Sequence, residues 1–196
     1  YTHNSELLKN YKQTDFVLFG SSWLNFEDLK LNKQNHISFV TSVKTFTGGH
    51  ILRQQIYNYF DEVDEINGFE IYQHKSPPFH PRRNDFFETS KFHVAVENCQ
   101  EVNYFSEKLI DCFASRTVPI YWGCPNIGEF FNLNGMIIFN NLEELKEILS
   151  KLTLDDYEKM MPFIEENYKL SKKYYGDGHV TTRLLEKISS YVSGTE

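Results

Sequence analysis

The chain has 196 residues, 40% of them hydrophobic and 16% aromatic, which is enough apolar material for one substantial interior and too much for a disordered tail or a short binding peptide. Its 27 acidic against 20 basic side chains leave a formal charge of −7, the wrong sign for holding nucleic acid by neutralising phosphates, so any polyanion site must be local. No apolar run approaches the roughly 18–20 residues that span a bilayer, and Cys99, Cys112 and Cys124, with no CxxC spacing, argue against a disulfide framework or a thiolate zinc site.

The opening Tyr1-Thr2-His3-Asn4 carries no initiator Met and runs into helical SELLKNY, which predicts a chain that starts inside a larger protein. Phe16 to Phe19 is a short strand candidate ended by Gly20, and HISFVTS, His36 to Ser42, is a stronger one. Gly48-Gly49 reads as a flexible turn, after which Leu52, Ile56, Tyr59 and Phe60 recur at helical spacing. GFEIY, from Gly68, is a further strand, and the HKSPPFHPRR that follows suits neither a helix nor a central strand.

The pattern repeats downstream. Phe92 to Val96 is a strand, ENCQEVN a polar turn, Tyr104 to Ala114 a helix, and Thr117 to Trp122 a strand closed by Gly123. Gly135 to Phe139 is the next strand, and Asn141 to Leu149 a helix with Leu142, Leu145, Ile148 and Leu149 on one face. The remainder predicts helices: one capped by Thr153 and kinked or restarted near Pro162, and a last one burying Val180, Leu184, Leu185, Ile188 and Tyr191. Short apolar strands alternating with helices predict an α/β fold, a Rossmann-like parallel sheet with helices on both faces.

In such a sheet ligands lie beyond the C-terminal strand ends, where loops and helix N-termini offer N–H groups to an anion. Three places qualify. In SVKTFTGGHILR, Gly49 permits close backbone approach while Lys44 and Arg53 offer positive charge, although the stretch lacks GxGxxG and the GKS/T of a phosphate-binding loop. The bland alternative leaves Lys44 on the surface and pairs Arg53 with an acidic neighbour. In AVENCQEVNYFSEK, Glu97 and Asn98 leave a strand end, and Glu107 and Lys108 open the next helix; a carboxylate there can accept sugar hydroxyls and the lysine can meet a phosphate, or the two can form a purely internal network.

In VPIYWGCPNIGEFF, Tyr121, Trp122 or Asn126 can frame a base or a sugar, or the aromatics can be core. His74, His80, Arg82 and Arg83 make a weaker basic patch. The chain has no HExxH, no Asp-x-Asp pair in its DEVDE run and no GxSxG elbow, so zinc hydrolysis, cation-bridged diphosphate binding and serine hydrolysis have no motif behind them. The missing GxGxxG disfavours an NAD-dependent oxidoreductase.

KFHVAVENCQEVNYFSEKLIDCFASRTVPIYWGCPNIGEFF closely resembles the nucleotide-binding region of the alpha-1,3-fucosyltransferases, glycosyltransferase family ten. Members carry a Phe-Glu-Asn-Ser, Tyr-x-Thr-Glu-Lys, x-Pro-x-Tyr-x-Gly series, which stands here as VENC, YFSEK and VPIYWG; with SVKTFTGGHILRQQIYNYF upstream, the resemblance runs from about Ile37 to Phe139. Ser106 replaces Thr and keeps a hydroxyl, whereas Cys99 for Ser and Val96 for Phe alter the pocket wall.

The resemblance implies one half of a two-Rossmann-domain glycosyltransferase, an inverting enzyme that passes fucose from GDP-fucose to a glycan hydroxyl. The alternatives are a UDP-xylose or UDP-galactose donor, or a non-catalytic binding module of the same fold. It assigns the donor site to Lys44, Gly49, Arg53, Glu97, Asn98, Tyr104, Ser106, Glu107, Lys108 and Tyr121. Arg53 and Lys108 neutralise the diphosphate, and Glu107 binds hydroxyls of the donor's sugar or ribose. No cofactor and no metal are implied; the partners are the nucleotide sugar, a glycan acceptor and an N-terminal acceptor domain that carries the catalytic base. On this reading residues 1–35 are the exit segment from that domain, with one short strand, and residues 36–196 the donor domain with its C-terminal helices. No signal-peptide pattern opens the chain and no N-x-Ser/Thr acceptor occurs, which predicts a cytoplasmic setting, or the Golgi lumen if the whole protein carries an anchor.

Overall fold

The computed structural model describes residues 5–10, 17–24, 29–77, 84–175 and 180–193. A short helix, α1 (Ser5–Asn10), precedes β1 (Gln34–Ser42), α2 (Gly48–Asp61), β2 (Glu65–Ile66), β3 (Phe69–Ser76), α3 (Asp85–Glu88) and β4 (Ser90–Val96). Then come α4 (Glu107–Ala114), β5 (Val118–Trp122), β6 (Ile137–Ile138), α5 (Leu142–Lys151), α6 (Leu154–Ser171) and α7 (Val180–Ser193). The six strands form one sheet in the order β2-β3-β1-β4-β5-β6, with only β2 antiparallel to its neighbour. From β1 the chain moves outward to β3, and it then returns past β1 to β4. The order therefore reverses between β1 and β4, the switch point at which an open parallel sheet forms its ligand crevice beyond the strand ends.

Burial on both faces explains why the strands read as nearly continuous apolar runs: every residue of β5 and of Phe92–Val96 is buried, and in β1 both the outward Ser38 and its neighbours Ile37 and Phe39 are fully covered. Ser38 is tolerated because its hydroxyl donates to Phe86 O at 2.8 Å and lies 2.8 Å from His93 Nδ1. Helices α2 and α5 pack together, as do α4 and α6. Since β1 to β3 and β4 to β5 step in opposite directions across the sheet, the general right-handedness of such crossovers assigns α2 and α4 to opposite faces. Phe105 sits beneath the α4 entry loop among Phe130, Phe131 and Tyr174 at ring separations of 5.2 to 5.6 Å, each such ring contributing about 1.5–3 kcal/mol through burial.

The structure moves several expected boundaries. Gly48 and Gly49 are the first turn of α2, because Thr47 caps the helix by accepting from His50 N. Helix α4 starts at Glu107 rather than Tyr104, because Ser106 takes the cap position and Phe105 is drawn into the aromatic cluster. Strand β3 runs on through His74, Lys75 and Ser76, paired with Val40, Thr41 and Ser42, so the first part of HKSPPFHPRR does belong to an interior strand and pairing stops at Pro77. His80, Arg82 and Arg83 lie outside the described residues.

Val17 to Gly20 is irregular rather than a strand, and Phe16 is outside the described residues. The carbonyls of Leu18 and Gly20 accept from the Arg183 guanidinium instead of a neighbouring strand. Helix α6 continues through Pro162, which lies exposed above an equally exposed Glu158, so the carbonyl deprived of its helical donor is left to water. Thr153 caps this helix in a reciprocal box with Asp156. The expected buried side of α7 is not buried: Leu185 is 59% and Ile188 45% exposed, Val180 and Leu184 are half-buried, and the side chain of Tyr191 lies outside the described residues.

Candidate functional site

The crevice between β1 and β4 is built by two helix N-termini held against one strand end. Gly49, in the first turn of α2, donates its N–H to Asn98 O at 3.0 Å, and a Cβ placed on Gly49 would lie 1.8 Å from Glu97 O. Only a residue without a side chain lets α2 approach the exit of β4 this closely. One turn later Arg53 reaches across the same seam, donating Nη1–H to Val96 O at 2.5 Å and Nη2–H to Asn98 Oδ1 at 2.9 Å. These bonds occupy two of the guanidinium's five N–H donors. The side chain is 5% exposed; burial lowers its pKa from the usual arginine value, with Glu97 and Glu107 pulling the other way.

From the other side α4 supplies Ser106, Glu107 and Lys108. Glu97 is fully buried, and its carboxylate accepts from Ser106 N at 2.8 Å and from Ser106 Oγ at 2.6 Å. Burial raises the pKa of this carboxyl above the usual carboxylate range, against Lys108 and the Ser106 bonds, which favour the anion. Lys108 Nζ stands 3.7 Å from Glu97 Oε2, 2.9 Å from Glu107 Oε1 and 3.1 Å from Ser106 Oγ. Burial also acts upward on Glu107, but the charge and hydrogen bond of Lys108 outweigh it and leave that carboxylate below its ordinary value. Two carboxyls that share one lysine are thus driven in opposite directions: burial prevails at Glu97, where Lys108 stands at 3.7 Å, and the lysine prevails at Glu107, where it stands at 2.9 Å.

Sequence reasoning missed Thr47 and His50. The His50 ring is packed into the first turn of α2, its Nδ1 2.6 Å from Thr47 Oγ1, while the Thr47 hydroxyl also accepts His50 N–H at 3.3 Å. Burial and then Arg53, Lys44 and Lys108 all lower its pKa. The signal was present in TGGH: a capping threonine after a strand puts the residue three further on inside the helix's first turn.

The remaining expected site residues divide. Lys44 is exposed on the β1–α2 loop, near enough to act on His50. Tyr104 is half-buried, its hydroxyl 3.5 Å from Asn98 Nδ2, and burial followed by Glu97 raises its pKa. Tyr121 is 1% exposed and accepts Cys124 N–H at 3.0 Å, so it stands behind the crevice wall and supports the turn at Gly123. A Cβ at Gly123 would meet Tyr121 Oη at 2.4 Å and Glu97 Cγ at 2.6 Å. Trp122 donates to Asn140 O at 3.0 Å, and Asn126 is bonded to Asn103, so neither frames the opening.

Arg53, Lys108, Lys44 and His50 therefore concentrate positive charge and N–H donors where two helices begin, in a protein that is acidic as a whole. This arrangement can hold a diphosphate, and Glu107 beside it can accept hydroxyls. Among the described residues no group of three or more His, Cys, Asp or Glu side chains is placed to hold a metal ion, and no helix is long and apolar enough to cross a membrane.

A family model described as glycosyltransferase family 10 (fucosyltransferase), C-terminal, matches residues 31–180. The alpha-(1,3)-fucosyltransferase FucT of Helicobacter pylori is 26% identical over 98 residues, which make up 50% of this chain and 20% of that protein. A crystal structure of an alpha1,3-fucosyltransferase superimposes over 70% of this chain and 38% of its own, with a TM-score of 0.49 and 23% identity. One titled as carrying GDP-fucose gives 70% and 40%, with a TM-score of 0.48 and 21% identity. The chain thus spans about a fifth of the curated relative and about two-fifths of these solved chains.

Proposed function

The chain belongs to glycosyltransferase family 10, the fucosyltransferases, and from that premise we propose that residues 36–196 form the donor-binding domain of an inverting enzyme that transfers fucose from GDP-fucose to a glycan hydroxyl. The observation that carries the reading is that Arg53 of α2 and Lys108 of α4 are both tied to the exit of β4 at the β1/β4 switch point, Arg53 through Val96 O and Asn98 and Lys108 through Glu97. Arg53 binds the diphosphate through its remaining guanidinium N–H groups. Lys108 stands over the phosphate nearer the sugar, and Glu107 accepts hydroxyls of the ribose or the fucose.

Glu97 does not touch the donor in this reading. Buried and bonded twice to Ser106, it sets the cap of α4 and so the position of Glu107 and Lys108. When the acceptor oxygen attacks the anomeric carbon and the bond to the phosphate oxygen breaks, the negative charge growing on the leaving nucleotide falls on Arg53, Lys108 and the N-termini of α2 and α4. These cations do the work that a divalent ion does elsewhere. Glu97 is enclosed and Glu107 is held by Lys108, so the base that deprotonates the acceptor is assigned to another domain.

Calorimetric titration of the chain with GDP-fucose, GDP, UDP-galactose and UDP-xylose, with and without EDTA, tests the reading. Saturable binding of the guanosine ligands that survives EDTA is expected. Binding confined to a uridine donor would reassign the nucleoside, and no saturable heat with any of the four would overturn the donor-site reading.

A further inference from the structure

His50 lies in the first turn of α2 between Gly49 and Arg53, and the proposed function gives it no bond to the donor. Its Nδ1 is 2.6 Å from Thr47 Oγ1, and Thr47, as the helix cap, already accepts His50 N–H. A hydroxyl that accepts the cap bond still has its proton to give to Nδ1, and we take this arrangement as part of the proposal: it is the one in which the neutral ring carries its own proton on Nε2. Among the described residues no protein group bonds to Nε2, although the residue is only 8% exposed. The charges acting on the ring come from each element around it: Arg53 on its own helix, Lys44 on the β1–α2 loop and Lys108 on α4. A ring with a free N–H, set among three cations and a helix N-terminus, has every feature of an anion contact.

We propose that His50 is a diphosphate contact of the donor site: Nε2–H donates to a phosphate oxygen of the nucleotide sugar, and the ring takes up a proton as the donor binds. The inference rests on the donor-site reading and adds to it a pH dependence. In the empty site burial, and after it the surrounding cations, favour the neutral ring. Entry of two phosphate charges reverses the local field, a solvent proton adds at Nδ1, and the Thr47 hydroxyl turns from donor to acceptor to receive it. No other bond changes.

The test uses GDP-fucose and UDP-galactose, because a diphosphate esterified at both ends does not itself titrate near neutrality. Calorimetry at pH 6.5 in two buffers of different ionisation enthalpy measures the protons taken up, and titrations from pH 5.5 to 8 give the affinity profile. The wild-type chain is expected to take up a fraction of a proton and to bind on the order of tenfold more tightly at pH 5.5 than at pH 8, one unit of pKa displacement being tenfold in affinity. His50→Gln and His50→Asn, with folding checked by circular dichroism, are expected to bind about three- to tenfold more weakly at pH 6 with no uptake and a flat profile. Wild-type binding without proton uptake overturns the proposal with no variant needed. So does uptake that persists in His50→Gln and disappears in Glu97→Gln, which would move the proton to that carboxyl. If neither nucleotide sugar binds at all, it is the donor-site reading that fails.

Discussion

Gly49 and Glu97 meet backbone to backbone, with the Gly49 N–H on the neighbouring Asn98 carbonyl at 3.0 Å and room for no carbon atom between Gly49 and the Glu97 oxygen. The obstruction to a larger residue is main chain, which cannot rotate away. Gly49→Ala is therefore expected to push α2 off the end of β4, lowering stability by about 3 kcal/mol and removing saturable GDP-fucose binding, because Arg53 leaves with the helix. Chemical denaturation and calorimetry on the same protein check both. Gly48, one residue earlier, has nothing within 4 Å of its missing Cβ, so Gly48→Ala is the control and is expected to shift stability by less than about 1 kcal/mol.

Arg53 binds two acceptors that diverge, a main-chain carbonyl and a side-chain amide oxygen, which a planar fork satisfies together and an ammonium does not. Arg53→Lys is expected to keep the charge and still lose about 10- to 100-fold in GDP-fucose affinity, with a chain that remains folded by circular dichroism. Affinity retained within about twofold would show that charge alone is needed there.

Glu97 and Glu107 give opposite pH signatures. For Glu97 the folded pKa is raised above its ordinary 4.5, so the folded state holds the proton more firmly than the unfolded chain. Its contribution to stability is complete below that value and is lost as pH rises through the folded pKa. Glu107, lowered from the same ordinary value, contributes above it and loses that contribution as pH falls through its own folded pKa. Glu97→Gln retains an acceptor for Ser106 N–H and removes the titration, so the wild-type loss of stability on going from pH 4.5 upward is expected to flatten in this variant. Glu97→Ala, which also strands the Ser106 N–H, is expected to be as flat as Glu97→Gln and to lie about 2 kcal/mol below it at every pH. Urea midpoints across pH 4 to 8 distinguish the two.

Most of the strand and helix alternation was legible because a parallel sheet covered on both faces turns each interior strand into a short apolar run, and Val94 or Ile120 announces its burial by its neighbours alone. The order of those strands was not, since nothing local to HISFVTS or FHVAV tells which neighbours each will pair with. The crevice at β1 and β4 therefore emerged only with the sheet order. The placement of Arg53, Glu107 and Lys108 beside a strand exit and a helix start was legible, since it follows from local alternation alone. Whether Tyr121 frames a ligand or joins the core stays open in the sequence because an aromatic in a strand has two faces open to it, and its burial beside Glu97 is a tertiary fact. α7 misled for the same reason: an apolar stripe at helical spacing marks a face able to be covered, and Leu185 and Ile188 are not covered by any described residue.

Lys33 holds the opposite end of the sheet, where its Nζ donates to Phe87 O, to Ser90 O at 2.9 Å and to Thr117 Oγ1 at 2.7 Å, tying the approach to β1 to the starts of β4 and β5. Burial pushes this ammonium down from an ordinary 10.5 to about 7, with Arg116 acting in the same direction and Cys112 and Glu88 opposing. Between these values the unfolded chain binds the proton that the folded chain has released. Stability is therefore expected to rise with pH from about 7 toward 10.5 and to be lost as pH falls through about 7. Lys33→Met keeps the stem that fills the site and abolishes the titration. Its urea midpoint is expected to stay level across that window while the wild-type midpoint climbs, so the variant's deficit grows from slight at pH 6 to about 1–3 kcal/mol at pH 9. A wild-type midpoint that stays level from pH 7 to 9.5 would mean that the three acceptors hold the ammonium charged throughout, making this lysine a permanent buried cation.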